Sequence, residues 1–74
     1  MARKKQFLVA GLGMFGSAVA IAFSEMGYNV LGLDADERVT QNLAEQLTSI
    51  ICADASDEKV LRTIAVEDID VAVV

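Results

Sequence analysis

The chain has 74 residues, a formal net charge of −5 and a hydrophobic fraction of 54%. A chain of this length forms at most one small domain, and its acidic balance argues against any broad electrostatic affinity for nucleic acid. It has no signal-peptide pattern and no apolar stretch of the 18 or more residues that could span a bilayer. Its single cysteine cannot form an internal disulfide. These properties predict a cytoplasmic domain.

Apolar runs alternate with helical periodicity along the whole chain. The predicted elements are a strand from Gln6 to Ala10, a helix from Met14 to about Met26, a strand from Asn29 to Leu33, a helix after Asp36, a strand from Ser49 to Cys52, a third helix, and a strand beginning near Asp70. This strict alternation with short connections predicts an α/β fold, a doubly wound parallel sheet with strand order 3-2-1-4. It is the N-terminal half of a Rossmann-like fold, and the strand that starts near Asp70 predicts that residues 1–74 are the front part of a longer chain.

Three- and four-residue spacings predict which side of each helix is buried. The predicted stripes contain Phe15, Ala18, Val19, Ala22, Phe23 and Met26 in the first helix, and Val39, Leu43 and Leu47 in the second. Gly27 is expected to end the first helix, because glycine adopts positive φ at little cost. Cys52 lies in a predicted strand, which favours a buried and unreactive thiol.

A glycine-rich turn, Gly11-Leu12-Gly13-Met14-Phe15-Gly16, joins the first strand to the first helix. In a dinucleotide-binding βαβ unit, these three glycines permit the tight turn, the approach of a pyrophosphate and close packing of helix on sheet. The helix N-terminus then offers free N–H groups to the phosphates. The alternative is a turn that binds no ligand. Three glycines lower the stability of a fold, however, and this cost favours a turn in which they serve a function.

An aspartate ends the second strand, 18 residues after Gly16, close to the spacing of about 20 that the fingerprint expects. There the carboxylate of Asp34 would accept hydrogen bonds from ribose hydroxyls and repel a 2′-phosphate, which disfavours NADP. It would not distinguish NAD from ATP, ADP or AMP. Alternatively Asp34 caps the following helix, and Asp36 has the same two interpretations, helix cap or ligand contact.

Asp54 follows the third strand at the carboxyl edge of the sheet, where ligands bind in such folds. It would either face the adenine or act as a turn or capping residue. The chain contains no histidine, and no nucleophile–base pair can be assembled from its residues. We therefore predict no catalysis and no metal site within it.

Four short motifs together resemble the N-terminal nucleotide-binding domain of Trk/Ktr-type potassium-uptake regulators, also called the RCK or KTN domain. They are Lys5-Gln6-Phe7, the glycine turn with its phenylalanine, the Asp34-x-Asp36 strand end, and Ala53-Asp54-Ala55-Ser56. The similarity covers essentially the whole chain. The phenylalanine and the last motif are more specific to the family than the glycines are.

The resemblance implies a regulatory subunit at the inner face of the cell membrane. Such a subunit forms dimers or an octameric ring beneath a potassium-translocating membrane subunit and binds NAD(H), ATP or ADP. It also implies residue roles: Gly11, Gly13 and Gly16 form the phosphate turn that contains Met14 and Phe15, Asp34 holds the ribose, Ala35 and Asp36 line the adenosine pocket, and Asp54 and Ala55 flank the adenine.

One residue departs from the pattern of many Ktr-type members, which carry arginine where this chain has Met14. A thioether cannot make a charge-assisted contact with a terminal phosphate, so NAD(H), ADP and AMP become more plausible ligands than ATP. The alternative function is the cofactor-binding half of an NAD-dependent dehydrogenase. The glycine turn and Asp34 fit both functions, whereas Phe15 and the turn after the third strand favour the regulator.

Overall fold

The computed structural model describes residues 5–47, 49–54 and 56–73. Strands and helices alternate throughout these residues. Their bounds are β1 Gln6–Ala10, α1 Met14–Glu25, β2 Asn29–Asp34, α2 Glu37–Leu43, β3 Ser49–Cys52, α3 Glu58–Glu67 and β4 Val71–Val73. Every predicted element is present, and the strand bounds differ from the predictions by one residue at most.

The four strands form one parallel sheet in the order β3-β2-β1-β4. The central pair, β1 and β2, is in register from Gln6 opposite Asn29 to Ala10 opposite Leu33. Because all strands run the same way, β1, β2 and β3 end at one edge of the sheet. The α/β class and the strand order predicted from the sequence are confirmed.

Two apolar layers cover the sheet, one on each face. The layer on the side of α1 and α2 has as its buried members Phe7, Val9, Leu12, Ala20, Val30 and Leu47. The layer on the side of α3 contains Leu8, Leu31, Leu33 and Val60. The central strands therefore contribute apolar residues to both faces, as expected of a parallel sheet.

Helix α1 ends in a glycine-dependent C-cap. Gly27 has a φ of +93°, its N–H donates to the carbonyl oxygen of Ser24 at 3.0 Å, and the N–H of Tyr28 donates to that of Phe23 at 3.2 Å. This pair of bonds is the Schellman motif. The prediction that Gly27 ends the helix is confirmed.

The predicted buried stripe of α1 is partly wrong. Phe15 and Met26 are 76% and 64% exposed, whereas Ala20, which was not predicted, is fully buried. Val19 and Phe23 do pack against the core, but Ala18 and Ala22 are exposed. The helix is apolar on nearly every side, so periodicity alone did not identify the face that meets the sheet.

Two smaller expectations also need correction. Helix α2 ends at Leu43, yet Leu47 remains buried because a turn after the helix returns it to the core. Cys52 is exposed, because it is the last residue of β3, at the outer edge of the sheet. Among the helices of the described residues, none has both the length and the apolar character needed to cross a bilayer.

Candidate functional site

A cleft of about 240 Å³ opens at the carboxyl ends of the strands. Its walls come from the ends of three strands and the residues just after them: Gly11, Leu33, Asp34, Ala35, Ala53 and Asp54. Ligands of open parallel sheets bind at this edge. The cleft is smaller than the roughly 300 Å³ at the low end of ligand pockets, so it would enclose only part of a larger ligand.

The glycine turn runs from the end of β1 into α1 and has the geometry predicted for it. Gly11 has a φ of +90°, and its N–H donates to the carbonyl oxygen of Leu33 at 2.8 Å, which fixes the turn to the end of β2. A Cβ on Gly16 would overlap the carbonyl oxygen of Gly11, whereas a Cβ on Gly13 would meet nothing within 4 Å. Gly16 therefore permits close packing of the helix, and the backbone at Gly13 is open to an incoming group.

The N-terminus of α1 carries no side-chain cap. Gly13 is the N-cap residue, and the first turn contains no acidic residue. The first helical N–H groups have no intrahelical acceptor, and the side chains beside them are open to solvent, with Met14 94% and Phe15 76% exposed. The amides at this helix end can donate hydrogen bonds to an anionic group, and the partial positive charge of the helix dipole would attract it.

The carboxylate of Asp34 lies between the glycine turn and the start of α2. Its Oδ2 accepts a hydrogen bond from the N–H of Leu12, and its Oδ1 accepts one from the N–H of Asp36, each at 2.8 Å. These bonds, the one from Asp36 first, hold the pKa of Asp34 below that of an ordinary aspartate. A carboxylate has about four acceptor positions, so Asp34 can still accept two hydrogen bonds from a ligand.

Asp36 caps α2. Its side chain accepts a hydrogen bond from the N–H of Arg38 at 2.9 Å and lies 3.6 Å from the Arg38 guanidinium in an exposed ion pair. It is not among the residues that line the cleft. The helix-cap interpretation is thereby confirmed, and a ligand contact for Asp36 stays a prediction.

Asp54 shapes the turn that follows β3. Its Oδ1 accepts hydrogen bonds from the amide and the hydroxyl of Ser56, and these bonds lower the pKa of Asp54, the amide contributing more. Helix α3 starts only at Glu58, so Asp54 is a turn residue and not the cap of that helix. It also lines the cleft.

The structure brings four of the ten predicted site residues together on the cleft wall: Gly11, Asp34, Ala35 and Asp54. Gly13, Met14, Phe15 and Gly16 lie at the adjoining helix start, and Ala55 lies outside the described residues. Sequence reasoning missed Leu33 and Ala53, which also line the cleft. Their position at or just after a strand end was the available signal, since such residues face the ligand edge of the sheet.

Comparison with known proteins agrees with this architecture. Residues 7–74 match the family model of the TrkA-N domain. The chain is 35% identical over 71 residues to the Ktr system potassium uptake protein C of Bacillus subtilis, an alignment that covers 96% of this chain and 32% of that protein.

Two further relatives are the Ktr system potassium uptake proteins A of Bacillus subtilis and of Vibrio alginolyticus. Each is 31% identical, over 97% and 95% of this chain respectively and 32% of the relative. The chain thus spans about a third of the length of these relatives. From the match over residues 7–74 we conclude that the chain belongs to the TrkA-N domain family.

Proposed function

We propose that this domain binds an adenine nucleotide and that the bound nucleotide regulates potassium uptake by a membrane subunit. The observation that carries the proposal is the position of Asp34, whose carboxylate is held at the cleft wall beside the glycine turn. Membership of the TrkA-N family and the names of the three Ktr relatives, which are potassium uptake proteins, support the physiological part.

The residues around the cleft fit three parts of such a ligand. Asp34 has two acceptor positions left for the 2′- and 3′-hydroxyls of an adenosine ribose. The open backbone at Gly13 and the uncapped start of α1 fit a diphosphate. Ala35, Ala53 and Asp54 would flank the base, the first two with small apolar side chains that leave room for it.

The charges of these residues favour some nucleotides over others. The carboxylate of Asp34 would repel a 2′-phosphate, which disfavours NADP. Met14, at the first position of α1, provides an exposed thioether and no positive charge for a terminal phosphate. We therefore propose NAD(H) or ADP as the preferred ligands, with ATP bound without a specific contact to its γ-phosphate.

In this proposal the domain switches state and carries out no reaction. A nucleotide that binds two conformations with different affinities shifts their populations, which is sufficient for regulation. The protein would then act in the cytoplasm, as a homo-oligomer against the inner face of the membrane, where its potassium-translocating partner lies.

Thermal and urea unfolding in the presence of ATP, ADP, AMP, NAD+, NADH and NADP test the binding step. A ligand at 100 times its dissociation constant should add about 2.7 kcal/mol to the free energy of unfolding. NAD(H) and ADP should stabilise the protein, and NADP at the same concentration should not. If none of the nucleotides without a 2′-phosphate stabilises the protein, the proposal is wrong.

The regulatory step needs a separate measurement. Potassium flux into vesicles that contain the membrane subunit and this protein should change when NAD(H) or ADP is added. Asp34→Ala should weaken the response at a given nucleotide concentration, because the ribose contact is lost. A flux that responds to the protein but not to any nucleotide would separate potassium regulation from nucleotide binding.

A further inference from the structure

Gly32 lies in the middle of β2, opposite Val9 of β1, and is buried. Its φ is not in the left-handed region, so the backbone there does not require glycine. Glycine within a strand weakens the strand, which points to a need for the space that a side chain would fill. Two leucine side chains occupy that space.

A Cβ on Gly32 would lie 2.8 Å from Cδ1 of Leu47 and 3.1 Å from Cδ1 of Leu12. Both leucines are almost fully buried, Leu12 at 2% and Leu47 at 6% exposed, in the apolar layer under α1 and α2. The two leucines lie in different segments of the chain. Leu12 is part of the glycine turn, whereas Leu47 precedes β3.

Leu12 is therefore held in position by its side chain and by its backbone. Its side chain is fixed in the core above Gly32, and its N–H donates to Oδ2 of Asp34 at 2.8 Å. The N–H of Gly11 ties the backbone of the turn to β2, but neither Gly11 nor Gly13 has a side chain that could enter the apolar layer. The side chain of Leu12 is thus the turn's anchor in the apolar layer.

We propose that Leu12 is a positioning residue for nucleotide binding: packed over Gly32, it holds the glycine turn at the distance from Asp34 that one ligand needs to reach both. This inference rests on the proposed nucleotide binding. The side chain of Leu12 would touch no ligand atom. It would strengthen the contact with the phosphates by holding the glycine turn in position. The adenosine part depends less on Leu12, because the N–H of Asp36 also holds Asp34.

The test compares Leu12→Ala with Leu47→Ala, two truncations in the same apolar layer of which only one removes the anchor of the turn. Dissociation constants for ADP and for adenosine are measured by calorimetry on the full chain, and urea unfolding reports stability. We expect Leu12→Ala to reduce the ratio of ADP affinity to adenosine affinity about tenfold, equivalent to about 1.4 kcal/mol. Leu47→Ala should lower stability and leave that ratio unchanged.

Equal ratios in the wild type and Leu12→Ala, or equal reductions in both variants, would overturn the proposal. If either truncation fails to fold, the milder pair Leu12→Val and Leu47→Val decides. Leu12→Val should lower the ratio and Leu47→Val should leave it unchanged; equal ratios in the two variants reject the role of Leu12. Failure of the wild type to bind any nucleotide without a 2′-phosphate would instead reject the proposed function itself.

Discussion

The carboxylate of Asp54 accepts two hydrogen bonds from Ser56, one from its amide and one from its hydroxyl, each at 2.8 Å. The side chain of an aspartate thus closes a turn directly after β3, in place of a backbone carbonyl. Because Asp54 also lines the cleft, the orientation of this cleft-wall carboxylate depends on a residue two positions further along the chain.

Ser56→Ala should raise the pKa of Asp54, because it removes the hydroxyl donor that stabilises the charged carboxylate. The pKa should remain below that of an ordinary aspartate, since the stronger contribution, from the amide, is retained. An NMR titration that follows the carboxyl carbon of the Asp54 side chain measures this pKa. Ser17→Ala is the matched control. It also removes a serine hydroxyl, but one that donates to the Met14 carbonyl oxygen at the start of α1, so the pKa of Asp54 should not change. An unchanged pKa of Asp54 in Ser56→Ala would contradict the bond.

Asp34→Asn should lower the free energy of unfolding near neutral pH. An amide can accept from one of the two N–H groups, of Leu12 and Asp36, but its own NH₂ then faces the other donor. Because folding lowers the pKa of Asp34, the carboxylate stabilises the fold fully above its unfolded-state pKa. That stabilisation is lost as the pH falls through the lower, folded-state pKa.

The stability difference between the wild type and Asp34→Asn should therefore narrow below about pH 5, where unfolded-state aspartates begin to protonate. Urea unfolding of both proteins between pH 7 and pH 2 measures the difference. A difference that stays constant over this range would show that the charge of Asp34 does not stabilise the fold.

Gly13→Ala and Gly16→Ala should separate ligand binding from folding. A methyl group on Gly13 meets nothing within 4 Å, and its φ of −69° suits alanine, so the stability should change by less than about 1 kcal/mol. A methyl group on Gly16 would overlap the Gly11 carbonyl, and we expect a loss of about 1–3 kcal/mol of stability as α1 and the glycine turn move apart. Urea unfolding, with ADP binding measured alongside, tests the pair.

In this pair Gly13→Ala should lose ADP affinity while the fold is retained. A Gly13→Ala protein that binds ADP like the wild type would remove Gly13 from the site. A Gly16→Ala protein as stable as the wild type would show that the close contact of helix and turn is not required.

Phe15→Ala and Phe23→Ala should differ in stability although both change the same residue type in α1. Phe15 is 76% exposed, so its truncation should cost at most about 0.5 kcal/mol. Phe23 stacks on Phe7 with ring centroids 4.5 Å apart and packs against the core, and its truncation should cost at least about 2 kcal/mol. Equal losses in urea unfolding would contradict the face that α1 presents to the sheet.

The order of elements and the strand order could be predicted from the sequence because each depends on local pattern. Apolar runs, the glycine turn and Gly27 determine where strands and helices begin and end, and short connections leave few possible topologies. The buried face of α1 could not be predicted in the same way. Residues on nearly every side of that helix are apolar, so their spacing does not distinguish the side that meets the sheet.

The candidate site, too, could be predicted from the sequence only in part. Gly11 was predicted from the spacing of the three glycines, and Asp34 and Asp54 from their positions at strand ends, which share one edge of a parallel sheet. The hydrogen bond from the N–H of Leu12 to Asp34 was not predicted, because the two residues lie 22 positions apart in the chain. The space above Gly32 was missed for the same reason, since it is defined by side chains from the turn and from Leu47.

Both donors that hold Asp34 belong to the main chain, at Leu12 and at Asp36. Replacing the side chain at position 36 therefore leaves the donor in place, and proline is the one residue that would delete it. Replacing Asp36 should therefore weaken α2, whose N-cap it is, and still leave the carboxylate of Asp34 oriented. Relatives with serine, threonine or asparagine at position 36 would keep both the cap and the donor.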